Sequence, residues 1–349
     1  MDEEAGRGAA LAADVLEDRY GLVADIVEPV HMGTDTINRR VLTDDGLRLF
    51  VKQYPSMTDL DAARNAWDMS EYCRAAKLPV PRVWPDTNDN LVTIAGGSAW
   101  AVVDEAPGRV NTSAMSVPLA EHIGVVMGRM HRVLAAYPLP GRVQHTRWRT
   151  ESVDDAVARC DAVIVRAVRQ GHHDLDQLGA DIEQRRNDLR GQVRLLREPL
   201  PETLVEQALH ADLSRTNLIT LADSVTGIID FRCATATPAW ELGRAAFDPR
   251  TVATSTEWGA CALAMVRAYR SEHPSLPVQE VRACARIALL YMLFSFYGAT
   301  TAQYDLPQEA DADLKRHWRE RQIAIRRLLS DLEGLEDELT GLEASGGTS

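Results

Sequence analysis

The stretch LVEQALHADLSRTNLITLADSVTGIIDFRCA, which begins at Leu204, constrains the fold more than any other part of the chain. Two apolar runs, Asn217 to Leu221 and Val225 to Ile229, flank the turn Ala222 to Ser224, a pattern that predicts a loop followed by a β-hairpin. His210-Ala211-Asp212 stands ahead of the first run, Asn217 opens it, and Asp230 closes the second. A hairpin folds its two ends back together, so two carboxylates and one amide can face a single pocket. Each residue also has a plainer reading, with Asp212 and Asn217 as loop caps and Asp230 as a turn residue. In this order and around a hairpin, they meet the needs of phosphoryl transfer. A carboxylate orients the attacking hydroxyl and accepts its proton, while an amide oxygen and a second carboxylate hold Mg²⁺ against nucleotide phosphates. His210 either braces the loop or takes a direct part in the chemistry.

The first hundred residues have a different texture. After a helical lead-in from about Ala9 to Tyr20, short β-like runs follow near Asp25 to Val30, Asn38 to Leu42 and Leu47 to Gln53. Pro29 marks the first as an edge strand, because proline cannot donate to a ladder. Asp45-Gly46 supplies a tight turn between the second and third. A helix from about Asp59 to Ala76 is closed by Leu78-Pro79-Val80-Pro81, and strands near Leu91 to Ile94 and Trp100 to Val103 complete the set. From about Val117 onward the chain outside the hairpin is largely helical, over Leu119 to Leu134, Ala156 to Arg169 and Val281 to Thr300. The sequence therefore predicts an α+β chain with a β-rich N-terminal lobe (1–106), a mostly helical C-terminal lobe (107–335) and a flexible tail (336–349).

Charge narrows the partners. Against 51 acidic residues stand 38 basic ones, a net charge of −13, which argues against nucleic acid or an anionic membrane as partner. No basic, apolar leader opens the chain, and the greasy run Ile287 to Phe296 is about half of the ~20 residues that span a bilayer. The five cysteines are irregularly spaced, which fits neither a disulfide framework nor a metal site, so a reducing cytoplasm is expected. Only Lys52, Lys77 and Lys315 are lysines, which leaves 35 arginines and makes each lysine informative. Lys52, near the end of the third strand, is either a solvated edge residue or a compact ammonium reaching between phosphates, where arginine substitutes poorly.

His210-Ala211-Asp212-Leu213-Ser214-Arg215-Thr216-Asn217 and Ile229-Asp230-Phe231 are similar to the HGDLxxxN and IDF hallmarks of the aminoglycoside phosphotransferase family, the kinase-like small-molecule kinases that include choline, homoserine and antibiotic kinases. The resemblance implies a bilobal protein-kinase-like fold, ATP or GTP as phosphoryl donor, Mg²⁺ and a small-molecule hydroxyl acceptor. It implies Asp212 and His210 at the catalytic loop and Asn217 and Asp230 at the metal. Lys52 falls at the phosphate lysine and Gly33 precedes the first hairpin. Val102-Val103-Asp104-Glu105-Ala106-Pro107-Gly108 resembles the hinge, which implies backbone contacts to adenine at Asp104 and Ala106. Ala211 replaces the usual glycine, and Arg232 follows Asp230-Phe231 where a smaller or acidic residue is commoner. The helix glutamate that usually pairs with the lysine is not evident, with Asn65, Asp68 and Glu71 the nearby polar residues.

The acceptor helices of such kinases vary, so the motif leaves the acceptor open. An antibiotic of aminoglycoside, peptide or nucleoside type leads, with resistance as the role. A metabolic sugar or amino-alcohol kinase is the alternative, and a silent nucleotide-binding module a third reading that the intact polar set opposes. Tyr291, Phe294, Phe296 and Tyr297 read as core, and Arg147-Trp148-Arg149 as a surface turn with a half-buried tryptophan.

Overall fold

A computed structural model describes residues 2–30, 36–54, 59–172, 174–301 and 308–341, without the side chains of 2–5, 308 and 309. The chain divides into two compact units. One holds residues 1–110 with 217–221 and 225–233, and the other holds the remainder.

The N-terminal unit contains α1 (Asp2–Tyr20), β1 (Ala24–Val30), β2 (Ile37–Thr43), β3 (Arg48–Tyr54), α2 (Leu60–Ala75), β4 (Val83–Trp84), β5 (Thr93–Ala95), β6 (Ser98–Asp104) and β7 (Arg109–Val110). The sheet runs β1-β2-β3-β6-β4, with β5 also on β6, and every pair is antiparallel. As Pro29 predicts, β1 is an edge strand. The period of two along β3 assigns its faces. Leu49 and Val51 join Trp100 and Val102 of β6 and Ala12, Val15 and Leu16 of α1 in one core. Lys52 and Tyr54 therefore turn to the opposite face, where α2 presents Trp67. Asp59 caps α2 by accepting from Ala62 N–H at 3.1 Å.

The C-terminal unit is largely helical. It comprises α3 (Val117–Leu134), α4 (Arg147–Thr150), α5 (Val153–Arg169), α6 (Leu175–Arg197), α7 (Pro238–Ala246), α8 (Pro249–Thr254), α9 (Trp258–Glu272), α10 (Val278–Phe294) and α11 (Gln308–Gly341), with β8 (Gln207–Leu209) paired to β11 (Ala234–Ala236). The remaining hairpin is β9 (Leu218–Leu221) and β10 (Ser224–Ile228).

Three expectations need correction. Helix α11 continues through Gly341 with Leu335 and Leu339 buried, so residues 336–341 are packed helix rather than tail; an apolar residue every turn holds them. Trp148 is 1% exposed on α4, fully rather than half buried. Tyr297, read as core, is 48% exposed, whereas Phe294 is buried. All five cysteines are buried and unbridged. Among the described residues no helix is long and apolar enough to cross a membrane.

Candidate active site

Within the N-terminal unit, Lys52 is buried and forms an ion pair with Asp230, 178 residues away in sequence. The solvated-edge reading of Lys52 is thereby removed. Its ammonium also lies 5.6 Å from the centre of the Trp67 ring, and Trp67 Nε1 donates to Tyr54 Oη at 2.8 Å. Helix α2 thus meets the lysine through an aromatic face. Glu71 is engaged elsewhere, with one oxygen 2.7 Å from Arg74 Nε and the other accepting Val83 N–H at 2.9 Å. Asp230 has φ 63°, a left-handed conformation that aspartate tolerates better than most residues. Ile229 N–H donates to Asn217 C=O at 3.0 Å, so the hairpin's two ends meet as the turn between its runs predicts.

The segment from Asp104 to Val110 is laced to this hairpin. Strand β7 pairs with β9, Arg109 opposite Thr220 and Val110 opposite Ile219. Thr220 Oγ1 donates to Arg109 C=O at 3.2 Å, and Thr226 Oγ1 donates to Pro107 C=O. Gly108, at φ +115°, lies so close that a Cβ there would stand 2.3 Å from Thr220 O. Ala106 packs against Gly227, where a Cβ would come within 2.7 Å of its methyl group. Asp104 ends β6 and accepts from Trp84 Nε1 at 2.7 Å. Ile228 N–H donates to Pro79 C=O at 2.8 Å, which ties the same hairpin to the proline turn after α2. Lys52, Asp104, Ala106, Asn217 and Asp230 therefore share one hydrogen-bonded frame, while Gly33 lies outside the described residues.

Within the C-terminal unit, β8 leads into His210, Ala211 and Asp212. Ala211 has φ 67°, which explains why glycine is usual there; a left-handed alanine costs about 1–2 kcal/mol. His210 is fully buried and its Nδ1 accepts Asp212 N–H at 3.2 Å, a contact that braces the loop. The Asp212 side chain is 35% exposed and its Oδ1 accepts from Arg244 Nη2 at 3.1 Å. Burial alone would lower the Arg244 pKa, but Tyr291, Asp212 and Glu241 hold it above its ordinary value.

Beneath the loop lies a polar chain that motif reading misses. Glu241 is fully buried; one oxygen accepts Leu213 N–H at 3.2 Å and the other is 3.0 Å from His131 Nε2, whose Nδ1 is 2.9 Å from Tyr269 Oη. Burial raises the Glu241 pKa, but the His131 bond and charge, His210 and the Leu213 N–H outweigh it and hold the carboxyl below its ordinary range. Glu241 and Arg244 stand three residues apart in the otherwise apolar run PAWELGRAAF, the one signal that could have exposed them.

An α+β chain with a buried strand lysine paired to a hairpin aspartate, and an HxDxxxxN loop on a helical unit, has the features of a small-molecule kinase fold. Residues 26–278 match the model of the phosphotransferase enzyme family, and the chain belongs to that family. A homoserine kinase of Zymomonas mobilis is 23% identical over 175 residues, covering 50% of this chain; the match spans 49% of that relative, about half its length. A spectinomycin phosphotransferase solved with ADP and spectinomycin has a similar fold, with a TM-score of 0.58 at 10% identity over 91% of this chain and 98% of that one. A microcompartment-associated aminopropanol kinase gives 0.56 at 17% identity, over 93% and 97%. At these identities the likeness is one of fold.

Proposed function

We propose that the chain is an ATP-dependent O-phosphotransferase that phosphorylates a hydroxyl of a small molecule, with GTP as the other possible donor. The observation that carries this reading is the Lys52–Asp230 pair, which brings the one strand lysine of the N-terminal sheet to the aspartate that closes the hairpin. Lys52 holds nucleotide phosphates, and the hinge backbone at Asp104 and Ala106 meets the adenine. Asn217 and Asp230 offer an amide oxygen and a carboxylate. That hard-oxygen pair fits Mg²⁺, which takes one or two protein ligands and completes its shell with water and phosphate. When bound, the ion neutralises phosphate charge. Asp212 orients the acceptor hydroxyl and takes its proton, while His210 and Glu241 fix the loop that carries it.

For the acceptor, the fold shared with a spectinomycin phosphotransferase supports an antibiotic and a resistance role. The homoserine and aminopropanol kinases support a metabolic amino-alcohol or sugar kinase. Residues 1–106 serve as the nucleotide lobe and 107–335 as the catalytic and acceptor lobe, with the hairpin lending its ligands to the former, in a cytoplasmic protein.

The test is acceptor-dependent nucleotide consumption with a product mass shift, in wild type and Asp212→Asn. The variant should bind nucleotide normally but turn over at least ~10²-fold more slowly, the usual contribution of a positioned general base. Unchanged turnover would remove Asp212 from the mechanism.

A further inference from the structure

Helix α7 carries two groups that meet the Asp212 loop, and both stand on one face. Glu241 accepts the Leu213 N–H at 3.2 Å and so holds the backbone directly after Asp212. Arg244, three residues on and therefore a neighbour on the same helix surface, donates from Nη2 to Asp212 Oδ1 at 3.1 Å. One helix thus grips both the backbone of the loop and the carboxylate that the loop presents.

The guanidinium is itself held in place. Its centre lies 4.9 Å from the Trp240 ring and 5.1 Å from the Tyr291 ring, so aromatic groups of α7 and α10 both bear on it. Those two rings meet edge-on with their centres 5.9 Å apart. Gly243 brings the two helices so close that a Cβ there would collide with the Cys284 carbonyl and press on the Ala288 methyl group. Trp240, Cys284 and Ala288 are all buried, and a close-packed contact of this kind leaves α7 little room to slide. The Arg244 side chain is 14% exposed against 35% for Asp212, which makes the carboxylate the more open of the pair. A carboxylate on a loop has several rotamers, and a general base serves only from the one that meets the proton it takes. A charge-assisted bond from a planar, fixed donor selects one of them.

We infer that Arg244 is a positioning residue for phosphoryl transfer: it holds the Asp212 carboxylate in the orientation from which that group meets the acceptor hydroxyl, and it acts through Asp212. The inference rests on the phosphotransferase reading. Misplacing a reacting group by about 1 Å can cost about 10²-fold in rate, so the loss of this one bond has a kinetic signature.

The test is a double-mutant cycle on turnover. Homoserine, aminopropanol and spectinomycin are offered to the wild type, and the best acceptor among them serves all four proteins. Arg244→Gln should lower kcat by at least about 10-fold, part of the 10²–10⁴ that a positioned base contributes, with the nucleotide KM unchanged. In an Asp212→Asn background the same substitution should change kcat by less than about twofold, because the group it positions is already gone. Arg244→Lys, which keeps the charge and loses the fork, should recover part of the loss. An equal fall in both backgrounds would make Arg244 a packing residue of α7 and overturn the inference, as would an Arg244→Gln enzyme as fast as the wild type or faster. If no acceptor drives nucleotide consumption in the wild type, that failure belongs to the phosphotransferase reading, and urea unfolding of the same four proteins tests the pairing. Arg244→Gln should then lower the midpoint less in Asp212→Asn than in the wild type; equal falls refute the pairing and the inference with it. Should Arg244→Gln not fold, Arg244→Lys takes its place in both cycles.

Discussion

Glu241→Ala probes the support of the loop that carries Asp212 from a fully buried residue. The substitution removes a fully buried carboxylate from His131 Nε2 at 3.0 Å and from Leu213 N–H at 3.2 Å, directly after Asp212. Deleting the carboxylate leaves the buried His131 Nε2 without that partner, at about 1–3 kcal/mol. The orphaned Leu213 N–H adds about 1–3 kcal/mol. A loss of about 2–6 kcal/mol is a large part of the 5–15 kcal/mol that holds a domain folded. Glu241→Gln keeps the volume and one oxygen acceptor, so it should lose roughly 1–3 kcal/mol, the worth of a hydrogen bond to a charged group. Urea unfolding at pH 7 measures both losses. Repeating it across pH tests the charge itself. Because the folded Glu241 pKa lies below its ordinary 4.5, its contribution is complete above that value and is lost as pH falls through the folded pKa. The stability gap between wild type and Glu241→Gln should therefore be level near neutrality and close in acid, below 4.5. Equal unfolding midpoints at pH 7, or a gap that widens in acid, would refute the reasoning.

Three further outcomes concern the N-terminal unit. Asp230→Ala should weaken Mg²⁺-dependent nucleotide binding, titrated calorimetrically, more than Asn217→Ala does, because the carboxylate carries the charge. Lys52→Arg should lower nucleotide affinity or turnover while thermal stability holds, since a planar guanidinium cannot take the place of a compact ammonium between Trp67 and Asp230; full activity would return Lys52 to an ordinary charge. Gly108→Ala drives a methyl group to 2.3 Å from Thr220 O at φ +115°, and thermal or urea unfolding should show a loss of about 2 kcal/mol or more from strain and overpacking.

Much of this molecule is legible in the chain because its signals are local. The edge position of β1 follows from Pro29, the β2–β3 turn from Asp45-Gly46, the end of α2 from its prolines, and the hairpin from two apolar runs around Ala222–Ser224. Periodicity and turn chemistry act over a few residues, so a single sequence displays them. The family hallmark is also local, and it picks out Asp212, Asn217 and Asp230. Contacts across long separations belong to tertiary structure alone. Spacing within α2 cannot reveal that Lys52 finds Trp67 there and its carboxylate on Asp230, because β-sheet faces and helix docking choose the neighbour. The same holds for the buried His131–Glu241 support and for the meeting of Arg244 with Asp212. In a chain with 35 arginines, composition makes each one ordinary; only folding shows which one bonds to Asp212.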